Sequence, residues 1–147
     1  MRRSMIQVYV HLVWATWDRL PLITPDIERR VNTAICDSIH GFGCPMYAIG
    51  GVPDHVHVLI GLSATASIAT VVKEAKGSVS RLISHELRPN EFFKWQGAYG
   101  AFAVEHERGP TVIAYIRDQK RHHADQSEDD MLVAFLLTPE PTDTALS

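Results

Sequence analysis

The chain has 147 residues, a formal net charge of −3 and two cysteines without CxxC spacing. A chain of this length can form one domain with a hydrophobic core, so disulfides are not needed for folding. No segment approaches the roughly twenty apolar residues of a membrane span, and the first residues lack the apolar core of a signal peptide. We therefore expect a cytoplasmic protein that does not associate with a membrane.

The negative charge is concentrated near the C-terminus. Residues 125–147 contain six acidic residues and no Lys or Arg, so residues 1–124 carry 14 basic and 11 acidic residues, a net charge of +3. We therefore expect a single, mildly basic domain over residues 1–124 and a partly disordered acidic tail over residues 125–147. A charge of +3 predicts only modest nonspecific affinity for nucleic acid.

The hydrophobic pattern predicts strands and helices in a simple order. Four segments rich in β-branched and aromatic residues predict strands: residues 6–17, 46–52, 55–62 and 99–105. Three segments with helical spacing predict helices: residues 25–40, 68–87 and 109–123. The order β-α-β-β-α-β predicts an α+β fold with a ferredoxin-like, split βαβ antiparallel sheet, to which a C-terminal helix carrying Tyr115 is added.

Two histidines lie two residues apart within the predicted third strand. Because side chains alternate along a strand, His55 and His57 share one face about 6 to 7 Å apart, and Val56, Val58 and Ile60 share the other. Two neutral imidazoles at that separation can bind one divalent metal ion. The motif alone is equally compatible with a half-exposed strand that carries histidines on its polar face.

The last predicted helix carries residues that can complete such a site. Tyr115, Gln119 and His122 occupy positions i, i+4 and i+7, on a common stripe of the helix. A phenol and an amide one turn apart can present a nucleophile and an oxygen ligand to the same metal-bound substrate. Taken alone, a helical tyrosine is far more often a core or surface residue than a nucleophile.

Other polar residues allow two interpretations. Lys73, Lys76 and Ser80 lie on the polar side of the second helix, which is either a solvated face or an edge that contacts phosphates. Asp54 either orients the histidines or is an ordinary turn residue. We expect His11, within the first strand, to be a structural histidine whose hydrogen bonds are satisfied inside the fold.

The combination of the HxH strand with the tyrosine helix resembles the single-tyrosine HUH transposases of small prokaryotic insertion sequences, the transposase-A type. REP-associated tyrosine transposases are relatives of this family. The resemblance covers roughly residues 6–124. It rests on His55-Val56-His57 and on the YxxxQxxHH motif at 115–123. Four further segments support it: residues 10–14 (VHLVW), 50–54 (GGVPD), 76–81 (KGSVSR) and 95–102 (WQGAYGAF).

This resemblance implies a metal-dependent transposase that cleaves and rejoins single-stranded DNA through a 5′-phosphotyrosine intermediate and recognises the hairpin ends of a mobile element. Tyr115 would be the nucleophile, and His55, His57 and Gln119 would bind Mg²⁺ or Mn²⁺, without a nucleotide cofactor. Asp54 and His123 would help to orient the metal ligands. The candidate DNA contacts are Lys73, Lys76, Ser80, Arg81, Arg117, Lys120, Arg121 and His122. Family members are homodimers in which the tyrosine helix completes the partner's site.

Three other functions compete with this interpretation. A domesticated or noncatalytic DNA-hairpin binding protein, such as a repressor, would keep the same fold without the chemistry. A histidine-triad nucleotide hydrolase is disfavoured, because Leu59 stands where a further histidine is required. A plain metal-binding domain gives no role to Tyr115.

Overall fold

The computed structural model describes residues 4–121 of the chain. Four strands form one sheet: β1 (Tyr9–Ala15), β2 (Met46–Val52), β3 (His55–Gly61) and β4 (Gly100–Val104). Three main helices accompany it: α1 (Pro25–His40), α2 (Ile68–Leu82) and α3 (Gly109–Arg117). Short helical turns lie at Trp17–Arg19, Ile83–Leu87 and His106–Arg108. None of the helices within residues 4–121 combines the length and apolar character needed to cross a bilayer.

The sheet has the strand order β2-β3-β1-β4, and all neighbouring strands are antiparallel. Strand β3 therefore lies between β1 and β2, and β1 lies between β3 and β4. The predicted α+β class, antiparallel sheet and order of elements are confirmed. Strand β1 is shorter than predicted at both ends. After Ala15 the chain enters the helical turn Trp17–Arg19, in which Asp18 and Arg19 have positive φ angles of 52° and 51°.

Helices α1 and α2 cover one face of the sheet and form the main hydrophobic core with it. From the sheet, alternate residues of β1 and β3 enter this core: Val10, Leu12, Trp14, Val56, Val58 and Ile60. From the helices, α1 contributes Val31 and Ile35 and α2 contributes Val71 and Val79, all buried. The Ser67 hydroxyl accepts a hydrogen bond from the backbone N–H of Thr70 and so caps the N-terminus of α2.

Helix α3 covers the other face of the sheet. Its residue Ile116 packs on Ala48 of β2 and Leu59 of β3 in a second, much smaller apolar cluster. Strand β3 is consequently buried on both faces, and His55 and His57 are fully buried on the α3 side. The alternative interpretation of a half-exposed strand with a polar outer face is therefore wrong.

The predicted continuous helix through residue 123 is interrupted. Helix α3 ends at Arg117, and Asp118 leaves the helical region with φ −104° and ψ 28° before residues 119–121 turn helically again. Aspartate is a weak helix former, because its short side chain competes for nearby backbone groups. The predictions for His122, His123 and the tail, residues 125–147, fall outside the described residues.

A glycine allows α3 to approach the sheet. Gly50 of β2 lies directly opposite His57 of β3, so a side chain at position 50 would project on the same face as His57. A Cβ atom there would lie 2.0 Å from the backbone carbonyl oxygen of Ile116, a distance that the backbone cannot tolerate. The contact between α3 and β2 therefore requires glycine at this position.

We predict that Gly50→Ala displaces α3 and lowers the free energy of unfolding by about 1 to 3 kcal/mol, the usual cost of an overpacked site. Denaturant unfolding measures this loss. The matched control is Gly97→Ala, since an added Cβ at Gly97 meets no atom within 4 Å. Equal stability of Gly50→Ala and Gly97→Ala would contradict the close packing of α3 on β2.

Candidate active site

Strand β3 places the two histidines of the HxH motif side by side under helix α3. The ring centroids of His55 and His57 are 5.1 Å apart, with an angle of 72° between the ring planes. The Nε2 atoms of both rings are buried. On the opposite side of each ring, Nδ1 contacts a neighbouring polar side chain, Asp54 for His55 and His11 for His57.

Asp54 holds His55 from the turn between β2 and β3. Its Oδ1 lies 2.6 Å from His55 Nδ1, and its Oδ2 lies 3.3 Å from Nε of Arg19. The backbone N–H and the hydroxyl of Thr16 donate to the Asp54 carbonyl oxygen, at 2.9 and 3.1 Å. Because an ionised carboxylate only accepts hydrogen bonds, Nδ1 of His55 is the donor in this contact, and in a neutral His55 the lone pair then lies on Nε2.

His11 contacts His57 from strand β1. Its Nε2 lies 2.9 Å from His57 Nδ1, and the ring centroids are 5.1 Å apart. We expected a structural histidine with satisfied hydrogen bonds, and the partner that satisfies it belongs to the HxH motif. A histidine inside an apolar strand was the sequence signal, but the identity of its partner depends on the pairing of β1 with β3.

Helix α3 brings Tyr115 to the same group of rings. The half-buried phenol ring lies 5.8 Å from the His57 ring, perpendicular to it, and 6.2 Å from the His11 ring. The Tyr115 carbonyl oxygen accepts a hydrogen bond of 3.1 Å from Nε2 of Gln119. Within this single chain, the predicted nucleophile therefore lies beside the chain's own histidines.

Gln119 presents an oxygen atom that suits a cation. The side chain is 1% exposed, and its Oε1 is buried without a hydrogen-bond partner among residues 4–121. An unsatisfied buried carbonyl costs about 1 to 3 kcal/mol, which a bound cation would offset. Within the same residues, no three His, Cys, Asp or Glu side chains are grouped as a metal site, so a site here would combine two imidazoles with this amide.

Burial keeps two of the histidines in their uncharged form. It lowers the pKa of His11 to about 4. Burial also places the pKa of His57 well below its usual range, and the neighbouring His55 and His11 lower it further. Since neutral imidazole is the form that binds metal ions, His57 is in the form that fits a divalent cation at pH 7.

Comparisons with known proteins identify the family and the fold. A family model described as "Transposase IS200 like" matches residues 4–119. The chain belongs to the IS200-like transposase family. This confirms the relationship inferred from the HxH and tyrosine motifs.

Two solved structures share the fold of this transposase. A Deinococcus radiodurans R1 protein described as a transposase has a TM-score of 0.62 and 24% identity, over 81% of this chain and 95% of that one. A REP-associated tyrosine transposase, whose structure is bound to a REP hairpin, has a TM-score of 0.64 and 15% identity, over 84% of this chain and 73% of that one. A comparison with curated protein sequences finds no match.

The predicted DNA contacts of the transposase divide between the two faces of the sheet. On α2, Lys73 and Arg81 are exposed, and Lys73, Lys76 and Ser80 line a cavity of about 340 Å³ together with Trp95 and Tyr99. The Lys76 ammonium donates to the carbonyl oxygens of Gln96 and Ala98, at 2.6 and 3.4 Å, and burial lowers its pKa. Lys76 therefore also fixes the segment that leads into β4.

The second group lies beyond Tyr115, near the candidate metal ligands. Arg117 and Lys120 line a cavity of about 310 Å³ that Gln119 also borders. Lys120 forms an ion pair of 2.7 Å with Glu28, and Arg121 forms one of 3.7 Å with Asp118. These exposed pairs contribute little stability, so a DNA phosphate can replace the carboxylate partner at small cost.

We predict that Gln119→Leu keeps or raises the melting temperature without metal, because it removes an unsatisfied buried carbonyl oxygen. The variant should lose the stabilisation that Mn²⁺ gives the wild type, about 2.7 kcal/mol at a metal concentration of 100 Kd. Thermal unfolding with and without Mn²⁺ measures both effects. Lys120→Ala, a change at the next residue that leaves the amide in place, should respond to Mn²⁺ like the wild type. An equal response of Gln119→Leu would exclude the amide as a ligand.

Proposed function

We propose that this transposase cleaves and rejoins single-stranded DNA in a metal-dependent reaction, with Tyr115 as the nucleophile. The observation that carries the proposal is the packing of the Tyr115 ring on His57 of the buried HxH motif, with the buried Gln119 amide bonded to the Tyr115 carbonyl oxygen one turn further along. A tyrosine that only filled space would not require buried histidines and an unsatisfied buried amide oxygen beside it. The family membership supplies the DNA substrate class.

With tyrosine as the nucleophile, the reaction is a transesterification of the DNA backbone. The tyrosine hydroxyl oxygen attacks a backbone phosphorus and loses its proton, a new O–P bond forms, and the bond from phosphorus to the 3′ oxygen breaks. The 3′ oxygen leaves with a proton as a 3′ hydroxyl, while the 5′ phosphate stays on Tyr115. A second 3′ hydroxyl can then attack this adduct and release the tyrosine. One phosphodiester replaces another, so no nucleotide cofactor is required.

A phenol with a pKa of about 10 is a weak nucleophile at neutral pH and needs an activated phosphate. His55, His57 and Gln119 are the residues that would hold Mg²⁺ or Mn²⁺. When bound, such an ion polarises an oxygen of the phosphate. The perpendicular packing of the Tyr115 ring on His57 keeps the nucleophile next to these ligands.

The substrate we propose is a DNA hairpin at the end of a mobile element. The related REP-associated tyrosine transposase is bound to a REP hairpin in its structure. We propose that the strand passes Arg117 and Lys120, which border the cavity beside Gln119. Glu28 and Asp118 border the same cavity, so a phosphate there would replace Glu28 as the partner of Lys120. The cavity at Lys73 and Lys76 lies on the other face of the sheet and suits the hairpin stem rather than the cleaved phosphate.

The proposal extends to a homodimer in which the tyrosine helix of one subunit completes the site of the other. In the single chain, α3 packs on its own sheet and Tyr115 lies beside its own His57. The two arrangements use the same contacts and differ in which subunit supplies the helix. The exchange of helices between subunits stays a prediction.

We predict that wild-type protein forms a covalent adduct with single-stranded hairpin DNA in Mg²⁺ or Mn²⁺, and that Tyr115→Phe forms none because it lacks the attacking oxygen. Denaturing gels with labelled DNA measure the adduct. The matched control is Tyr47→Phe, which removes the hydroxyl of an exposed tyrosine outside the site and should leave the adduct unchanged. Hairpin binding without an adduct in the wild type would instead support a noncatalytic hairpin-binding protein.

We predict that His57→Ala keeps the fold and lowers adduct formation more than about 100-fold, since several kcal/mol of charge stabilisation are lost. Circular dichroism and the adduct assay measure the two properties. Mixing Tyr115→Phe with His57→Ala then tests the dimer. Exchange of tyrosine helices predicts recovered adduct, because a mixed dimer contains one site with both native residues, whereas a site within one chain predicts no recovery. Cleavage by His57→Ala alone at the wild-type rate would remove the histidine from the active site.

A further inference from the structure

We propose that His11 is a positioning residue that selects the metal-binding tautomer of His57. The inference deepens the proposed function and rests on the metal site described there. It stands on the hydrogen bond of 2.9 Å between His11 Nε2 and His57 Nδ1, formed between two buried side chains from different strands. None of the residues inferred from the HxH and tyrosine motifs has this role.

Backbone pairing fixes His11 in place. In the sheet His11 lies opposite Leu59 of β3 on one side and Phe102 of β4 on the other. Its ring centroid is 6.2 Å from the rings of both Phe102 and Tyr115. The imidazole is therefore enclosed by its neighbours, and its Nε2 is held against His57.

The direction of this hydrogen bond decides what His57 can bind. Two neutral imidazoles form one N–H···N hydrogen bond, so one ring donates and the other accepts. If His11 donated to Nδ1 of His57, the single proton of His57 would lie on Nε2 and block that nitrogen as a ligand. If His57 donates through Nδ1, its Nε2 carries the lone pair that a metal ion requires.

The neighbouring histidine supports the second direction. Asp54 accepts a hydrogen bond from Nδ1 of His55, which directs the lone pair of His55 to Nε2. With His11 as the acceptor for His57, both histidines of the motif donate through Nδ1 and offer the same nitrogen. The turn before β3 supplies one acceptor and strand β1 supplies the other.

His11 also contacts the residue that performs the chemistry. The planes of the His11 and Tyr115 rings are 77° apart in an edge-to-face arrangement, while Nε2 of His11 contacts His57. A single side chain of β1 thus touches both a metal ligand and the nucleophile. Its loss is expected to alter metal affinity through the hydrogen bond, separately from any change in the packing of the tyrosine.

The tautomer is measured directly by ¹H–¹⁵N NMR of the histidine rings in the metal-free, full-length protein. We expect the proton of His57 on Nδ1 in the wild type. In His11→Phe, which keeps a ring but removes the acceptor, we expect the population to shift to the Nε2 proton. A wild-type His57 protonated on Nε2 would overturn the proposal.

Metal affinity provides the second measurement, by titration with Mn²⁺. We expect His11→Phe to bind Mn²⁺ about 10 to 100 times more weakly than the wild type, the usual effect of losing a partner that orients a metal ligand. His11→Gln places an amide oxygen near the position of Nε2 and should restore most of the affinity. Phe102→Leu changes the packing on the other side of His11 without touching the hydrogen bond and should bind normally.

Two outcomes of the titration would overturn the role of His11: wild-type affinity in His11→Phe, or an equal loss in Phe102→Leu. A wild-type protein that binds no Mn²⁺ would instead contradict the proposed metal-dependent function. In that case the NMR measurement still decides whether His11 sets the tautomer of His57, because it needs no metal.

Discussion

The carbonyl oxygen of Ile116 lies where a side chain of residue 50 would otherwise project, so α3 rests directly on the backbone of β2. Gly50 is paired with His57, and the contact between helix and strand is therefore made beside the candidate metal ligand. Every polar group of the site depends on it. Without α3 against the sheet, His55 and His57 would face solvent, and Tyr115 and Gln119 would have no fixed position relative to them.

The two faces of the sheet bury different kinds of residues. The face under α1 and α2 buries a large apolar core, and this core supplies most of the stability. The face under α3 contains only a small apolar cluster within the described residues, next to buried His11, His55, His57 and Gln119. Burying polar groups is costly unless they are paired. Asp54 and His11 pair with the Nδ1 atoms of the two histidines, and the Nε2 atoms are the nitrogens that we propose bind a metal ion.

Local patterns in the sequence were sufficient to predict the order of the elements, the common face of His55 and His57, and the proximity of Tyr115 to Gln119, because each depends on the geometry of one strand or one helix. The partner of His11 was not predictable, since it depends on the register between β1 and β3, which are 46 residues apart at this contact. The interruption at Asp118 was also missed, because helical spacing continues in the sequence where the backbone departs from it. The need for glycine at position 50 was not predictable either, because its contact with Ile116 exists only once α3 packs on β2.

The central claim is that the buried polar face between α3 and the sheet is a metal site formed by His55, His57 and Gln119. The most direct test is a crystal structure of the protein soaked in Mn²⁺, with anomalous scattering recorded at the manganese edge. The account predicts one anomalous peak about 2.0 to 2.3 Å from Nε2 of both histidines and from Oε1 of Gln119. A peak elsewhere, or full-occupancy Mn²⁺ sites that exclude these three atoms, would contradict it.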